Sequence, residues 1–235
     1  MNIYILTSDK SIHIIEAFQY AFNKYWGCTQ KVFILGYSDP QFELEENFKF
    51  ISLGKDIGPR VGGQLIDFFN CIKDEHFIFG MDDFPLISSI NRNILDHATL
   101  IMKEDPTVGR FGLTGDTKDR QHIIIDSRSD YEVIMNAQNV DYKLSGVWSM
   151  WNKKYFLKYL VPSMNLWDWE INGSSLSKND GFEVIGTNKK YAINACHIYK
   201  QGKLKSNWYE SVWDKSIKIE DSVKIYVKKI IEKKI

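Results

Sequence analysis

From Asn2 to Asp105 the chain alternates short β-branched and aromatic runs with helical stripes, and few folds are open to a chain patterned this way. Asn2 to Leu6 reads as a strand, stopped by the polar triplet Thr7-Ser8-Asp9. Ile14, Ile15, Phe18, Ala21, Phe22 and Tyr25 then share one helical face, with Asp9 or Ser11 as the candidate cap. Lys31 to Gly36 and Phe48 to Leu53 read as the second and third strands, separated by Tyr37-Ser38-Asp39-Pro40 turn chemistry. Gly58-Pro59-Arg60 breaks the chain ahead of a stripe of Leu65, Phe68, Phe69 and Ile72. His76 to Met81 is a fourth strand that runs straight into Asp82-Asp83-Phe84-Pro85. The stripe Ile87, Ile90, Ile94, Ala98 and Ile101 predicts a further helix ending before Asp105-Pro106. Strands separated by helices of this length pair in parallel through crossovers, so the chain is read as α/β.

The second half changes pattern. Val108 to Thr114 predicts a strand, Gly115 to Arg120 and Asp126 to Asp130 polar loops, and Gln121 to Ile125 and Tyr131 to Met135 two short strands. Lys143 to Trp151 predicts another strand, followed by a helix over Lys153 to Leu160 that Asn152 can cap. The expected architecture is a mostly parallel central sheet flanked by helices, with a small antiparallel addition in the second half. No Pro/Gly/Ser linker, repeat or low-complexity tract interrupts it, so residues 1–235 are expected to form one domain. Within it, 1–114, 115–214 and a basic amphipathic helix at 215–235 are distinguished. On that last helix Val223, Val227, Ile230 and Ile231 share a face, and seven lysines follow position 214. It is expected either to pack on the domain or to touch anionic lipid at a membrane surface.

Thirty basic side chains balance thirty acidic ones. An even balance removes the electrostatic footprint of a duplex-binding protein, so nucleic acid is not the expected partner. No apolar run reaches the ~20 residues that span a bilayer. MNIYILTSDK turns polar too soon for a secretory signal, so a cytoplasmic location, with peripheral membrane contact left open through the last helix, is expected. Cys28, Cys71 and Cys196 are widely spaced and odd in number, which suits a reducing compartment; each is read as a small buried hydrophobe, and a cysteine zinc site is excluded. Dinucleotide, P-loop, nucleophile-elbow and His-Glu-x-x-His motifs are all missing.

The densest chemical signal is Phe77-Ile78-Phe79-Gly80-Met81-Asp82-Asp83-Phe84. A buried parallel strand delivers its C-terminal end to the crevice where α/β proteins bind ligands. Two adjacent carboxylates there repel each other, and a hard divalent cation such as Mg²⁺ or Mn²⁺ relieves that repulsion while keeping positions for phosphate oxygens. The alternative is an Asp-rich turn with solvated carboxylates.

The segment from Gly58 to Leu86 resembles the helix–strand–acidic segment of GT-A-type glycosyltransferases, above all small bacterial and viral nucleotide-sugar-dependent enzymes. Leu144 to Leu157 (LSGVWSMWNKKYFL), Asn165 to Glu170 (NLWDWE) and Ile193 to Lys203 (INACHIYKQGK) are similar, in the same order, to further patches of that family. The resemblance implies a GT-A-like (Rossmann-like) fold and transfer of a sugar from a nucleoside diphosphate donor, UDP- or GDP-linked, to a hydroxyl of a glycan or lipid-linked acceptor. It implies that Asp82 and Asp83 hold Mn²⁺ or Mg²⁺ on the donor diphosphate, with His197 completing the metal shell. The family's Asp-x-Asp pattern is broken here, because its first place is Gly80. Thr7, Ser8 and Asp9 match the loop that meets base and ribose; Lys200, Lys203 and, more weakly, Arg60 are candidates to neutralise the diphosphate, with Gly202 admitting close backbone approach. Glu170 is the candidate base on the acceptor, Asp168 its rival, and Trp167 and Trp169 offer faces for sugar rings; inversion at the anomeric carbon is favoured over retention. Two other classes stay open: a sugar-phosphate nucleotidyltransferase, which would carry a Gly-rich basic loop where this chain has Thr7-Ser8-Asp9-Lys10, and a non-catalytic nucleotide-sugar or glycan-binding module.

Overall fold

The computed structural model describes residues 1–200, 203–210 and 212–232. Strands β1 (Ile3–Leu6), β2 (Val32–Gly36), β3 (Phe48–Ser52) and β4 (His76–Met81) alternate with helices α1 (Ile14–Tyr25) and α2 (Gly62–Cys71), as the periodicity predicts. They pair in parallel in the order β3-β2-β1-β4. Helix α3 (Arg92–Glu104) leads to β5 (Val108–Gly112), and β6 (His122–Ser127) and β7 (Glu132–Asn136) form the expected hairpin. After β8 (Ser149–Asn152) comes α4 (Lys153–Lys158), which the Asn152 side chain caps by accepting from the amides of Lys154 and Tyr155. Short helical turns α5 (Leu166–Asp168) and α6 (Ser174–Leu176) flank a π-helical turn over Trp169–Gly173. The chain then forms β9 (Glu183–Asn188), a β10 (Tyr199–Lys200) and β11 (Lys203–Leu204) hairpin, and α7 (Asp221–Glu232).

Among the described residues the first nine strands make one sheet, ordered β3-β2-β1-β4-β8-β5-β9-β7-β6. β8 runs antiparallel between β4 and β5, so β1, β4 and β5 all point the same way and their carboxyl ends share one edge. Two apolar layers cover the sheet. One contains α1, α3 and α7 around Phe18, Phe22, Ile94 and Val227; the other contains α2 and α4 around Phe69, Phe77, Phe156 and Trp169. β4 is buried on both faces, which a near-continuous apolar strand requires.

Several local expectations change under tertiary contact. Ile87 and Ile90 precede α3 instead of joining it, because the 87–91 backbone bonds to the 192–194 segment, Ile87 N to Asn194 O at 2.9 Å and Asn91 N to Ala192 O at 2.9 Å; Asn91 then caps the helix. Neither Asp9 nor Ser11 caps α1, whose first flanking residue is His13. Lys143 to Trp148, expected as strand, runs irregularly up to β8. β9 went unread in the sequence, as EVIGTN mixes polar with apolar positions. Cys28 and Cys71 are exposed, and Cys196 alone is buried. The apolar face of α7 packs on α1, with Tyr226 stacked on Tyr20 at 4.1 Å, so that stripe is spent inside the protein. No helix among the described residues is long and apolar enough to cross a membrane.

Candidate active site

The sheet places Thr7 and Asp82 side by side. β1 and β4 are in register to Leu6 and Met81, and the Asp82 amide continues the ladder by donating to Leu6 O at 3.1 Å. Thr7 Oγ1 donates to Asp82 Oδ2 at 2.5 Å. Both residues are buried, and burial together with the neighbouring Asp83 charge pushes the Asp82 carboxyl up to about 7, against the Thr7 and Ser11 hydroxyls that favour its ionised form.

Asp83 is held by a different segment. The 194–198 segment runs alongside 83–87, with Ile198 N bonded to Asp83 O at 2.9 Å, and this delivers His197 Nε2 to 2.9 Å from Asp83 Oδ2. The His197 ring stacks on Phe84 at 4.7 Å. Trp148 Nε1 donates to Phe84 O at 2.7 Å and anchors the turn from below. Asp83 Oδ1 is buried with no hydrogen-bond partner among the described residues.

Gly80 explains the missing first aspartate. A Cβ there would meet the Trp148 ring at 3.2 Å and Ile5 at 3.4 Å, so the position faces apolar core and cannot present a carboxylate to the edge. A second glycine shapes the opposite wall. The Gly62 amide donates to Met164 O at 2.9 Å, and a Cβ at Gly62 would lie 2.2 Å from Val161 O. That approach docks the Trp167 segment on the start of α2.

Between these walls lies a cleft of about 560 Å³ lined by Thr7, Ser8, Tyr37, Asp82, Asp83 and Trp167, with Gly58 and Pro59 on its rim. Thr7, Ser8, Asp82, Asp83 and Trp167 thus share one cavity, whereas Asp9, Arg60, Asp168, Glu170 and His197 do not line it. A more open groove of about 830 Å³ runs past Tyr25, Asn91 and Lys218 and includes none of them.

The other expected residues are placed differently. Asp9 accepts from the Ser38 amide and hydroxyl, each at 2.9 Å, and ties the loop after β1 to the one after β2. Arg60 and Lys203 are exposed near the chain segments that form the cleft rim and the β10–β11 hairpin. The Lys200 side chain and Gly202 lie outside the described residues. Trp167 is 68% exposed, whereas Trp169 is 0% exposed and packs on Trp151 and Phe156 at about 5 Å. Trp169 is therefore core, and the acceptor role expected of it is corrected: no sugar ring can reach an indole enclosed on all sides. Asp168 sits half-buried in the turn that Asn165 caps.

Glu170 stands in the π-helical turn and accepts from the Gly146 amide at 2.5 Å, on the same sheet edge as Asp82. Burial raises its carboxyl above the ordinary glutamate range, while the Gly146 amide and Arg110 favour the charged form. Sequence reading missed the cluster behind it. Arg110 is fully buried in β5, donates to Ser149 Oγ at 2.9 Å and pairs with Asp116, which Arg120 also approaches at 3.5 Å. An arginine inside the buried strand VGRFG is the signal that could have found it, since such a charge demands a partner.

Two carboxylates at a strand edge, one with an orphaned buried oxygen, suit a hard cation that takes its remaining ligands from phosphate. Among the described residues no three His, Cys, Asp or Glu side chains converge as a ready-made metal centre.

No family model matches this chain, and no curated protein matches it. Among solved structures it is similar to the galactosyltransferase LgtC in complex with donor and acceptor sugar analogues, at 10% identity and a TM-score of 0.43 over 79% of this chain and 73% of that one. It is also similar to a CMP-2-keto-3-deoxy-manno-octonic acid synthetase complexed with CTP, at 12% identity and 0.43 over 78% and 87%. A third is S. aureus TarS 1-349, at 12% identity and 0.47 over 82% of this chain and 58% of that one.

Proposed function

We propose that this chain is a glycosyltransferase that moves a sugar from a nucleoside diphosphate donor to a hydroxyl acceptor. One observation carries the reading: Thr7 and Ser8 after β1, Asp82 and Asp83 after β4, and Trp167 from the second half line the same cleft at the carboxyl edge of parallel strands. That edge is where open α/β sheets bind nucleotides.

Thr7 and Ser8 bind the nucleoside end of the donor, and Asp9 holds their loop through Ser38. Asp82 and Asp83 would hold Mn²⁺ or Mg²⁺, with His197, 2.9 Å from Asp83, fixing that carboxylate or adding a ligand. When bound, the cation neutralises charge that develops on the departing diphosphate. Arg60, Lys200 and Lys203 add positive charge to the same end. Trp167 presents an exposed ring face to the acceptor sugar. Glu170 accepts the proton of the attacking hydroxyl, and one such base favours inversion over retention. UDP- and GDP-linked donors, and glycan or lipid-linked acceptors, are the classes to screen.

The test is a panel of nucleotide sugars followed by thermal shift and by donor turnover, with Mn²⁺ and with EDTA. One donor class is expected to raise Tm and to turn over only with the metal. Melting shifts without turnover across the whole donor and acceptor panel would reduce the protein to a binding module. Equal turnover in chelator would remove the metal.

A further inference from the structure

The cleft is short of positive charge. Asp56, Asp82 and Asp83 line it, and among the described residues Lys10 is the one cation that does. Arg60 and Lys203 are exposed but do not line it. Lys10 stands in the loop after β1, inside a turn that the Ser11 amide closes on Ser8 O at 2.9 Å and that the Ser8 and Ser11 hydroxyls, also 2.9 Å apart, brace. Both flanks of the lysine are fixed. Asp9 accepts from the Ser38 amide and hydroxyl in the loop after β2. Ser11 Oγ lies 3.4 Å from Thr7 Oγ1, the hydroxyl that donates to Asp82. Lys10 thus follows the residue that holds the loop and precedes one beside the carboxylate pair. Its side chain is exposed and makes no ion pair among the described residues, so its charge is not spent inside the protein.

Two carboxylates offset most of the charge of a divalent cation between them, which leaves a bound diphosphate with negative charge that the metal alone does not balance. An ammonium on a flexible stem suits that task, as a point charge whose three donors turn to meet phosphate oxygens. We infer that Lys10 binds the diphosphate of the donor from the cleft wall beside the aspartate pair, an assignment that rests on the glycosyltransferase reading above. The chain has no Gly-rich basic loop after its first strand, and one lysine on a serine-braced turn supplies the positive charge at that place.

Calorimetric titration of UDP and GDP in Mn²⁺ tests this on the full chain, with Lys10→Met, Lys10→Arg and, as a control, Lys55→Met. Lys55 is also exposed and adjoins Asp56 in sequence, but it does not line the cleft. The diphosphate that the wild type binds is expected to lose about ten-fold or more in affinity in Lys10→Met, because a charge-assisted contact is removed. Lys10→Arg is expected to keep most of the affinity and Lys55→Met all of it. The matching nucleoside, titrated by NMR, is expected to bind wild type and Lys10→Met alike, since it carries no phosphate. Melting curves without ligand are expected to coincide. Equal diphosphate affinity in Lys10→Met overturns the inference and leaves the glycosyltransferase reading standing. So does a nucleoside weakened as much as the diphosphate, or a loss in Lys55→Met as large as in Lys10→Met, which would reduce Lys10 to bulk charge. A wild type that binds neither UDP nor GDP removes the reading itself, and the inference with it.

Discussion

Thr7 Oγ1 and Asp82 Oδ2, 75 residues apart in the chain, meet at 2.5 Å across the ends of two adjacent parallel strands. The hydroxyl, with that of Ser11, favours the charged form of a carboxyl which burial and the Asp83 charge both push toward protonation. Thr7→Val keeps the shape and deletes the donor. It is expected to weaken Mn²⁺-dependent donor binding about ten-fold or more, because a hydrogen bond to a charged group contributes about 1.5–3 kcal/mol. Calorimetric titration of the donor with and without Mn²⁺ measures it; an unchanged affinity would separate Asp82 from the metal.

Glu170 links burial to pH. Its carboxyl is raised, so the folded protein holds this proton to a higher pH than the unfolded chain does. A base must be ionised, so turnover is expected to fall on the acid side with an apparent pKa above the ordinary glutamate value of about 4.3. In Glu170→Gln turnover is expected to drop about 10²–10⁴-fold, leaving only the acid limb that protonation of Asp82 imposes. The sign for stability is opposite: the cost of charging the buried group grows as pH rises above its unfolded pKa, so the glutamine variant should melt at the same or a higher temperature at pH 7. A pH–rate profile beside a melting curve checks both.

The two tryptophans of the NLWDWE segment are expected to part company under substitution. Trp167→Ala removes a ring that is 68% exposed, so Tm should barely move while KM for the acceptor rises. Trp169→Ala empties a core site and is expected to cost about 3–5 kcal/mol of stability. Urea unfolding and acceptor kinetics on the pair would show whether the functions divide in this way.

Placing an aspartate at position 80, to complete an Asp-x-Asp pattern, should fail here. Gly80→Asp would press a carboxylate against Trp148 and Ile5, and it would neither face the cleft nor find a partner. Destabilisation of about 2 kcal/mol or more is expected, with no gain in Mn²⁺ affinity. A tighter metal site in this variant would mean that β4 presents its edge differently.

The lysine inside the second half offers a structural test. Lys143 is 1% exposed, and its Nζ donates to Gln138, the Ser177 carbonyl, Asp180 and the Phe182 carbonyl at 2.9–3.2 Å. Lys143→Ala leaves Asp180 to Tyr159, Lys158 and the Phe182 amide but deletes its nearest cation and empties a buried site, and is expected to cost about 2–3 kcal/mol, read by denaturant unfolding.

The strands and helices of the first half could be read from the residues because burial repeats with the geometry of each element: β4 is apolar along its length, α1 carries its stripe at helical spacing, and Asp82-Asp83 ends a strand that a parallel sheet must open at its carboxyl edge. Local pattern stopped being informative wherever a distant segment chose between two possibilities. Ile87 and Ile90 fit a helix but bond to Asn194 and Tyr25, and Trp167 and Trp169 look alike until the π-helical turn and the close approach at Gly62 send one outward and one into the core. Glu170 lies far along the chain from Arg110 and Asp116, and only the sheet order that inserts β8 between β4 and β5 brings the three to a single edge. Periodicity reports which side of an element is apolar; which neighbour covers that side depends on chain crossings that no window of residues contains.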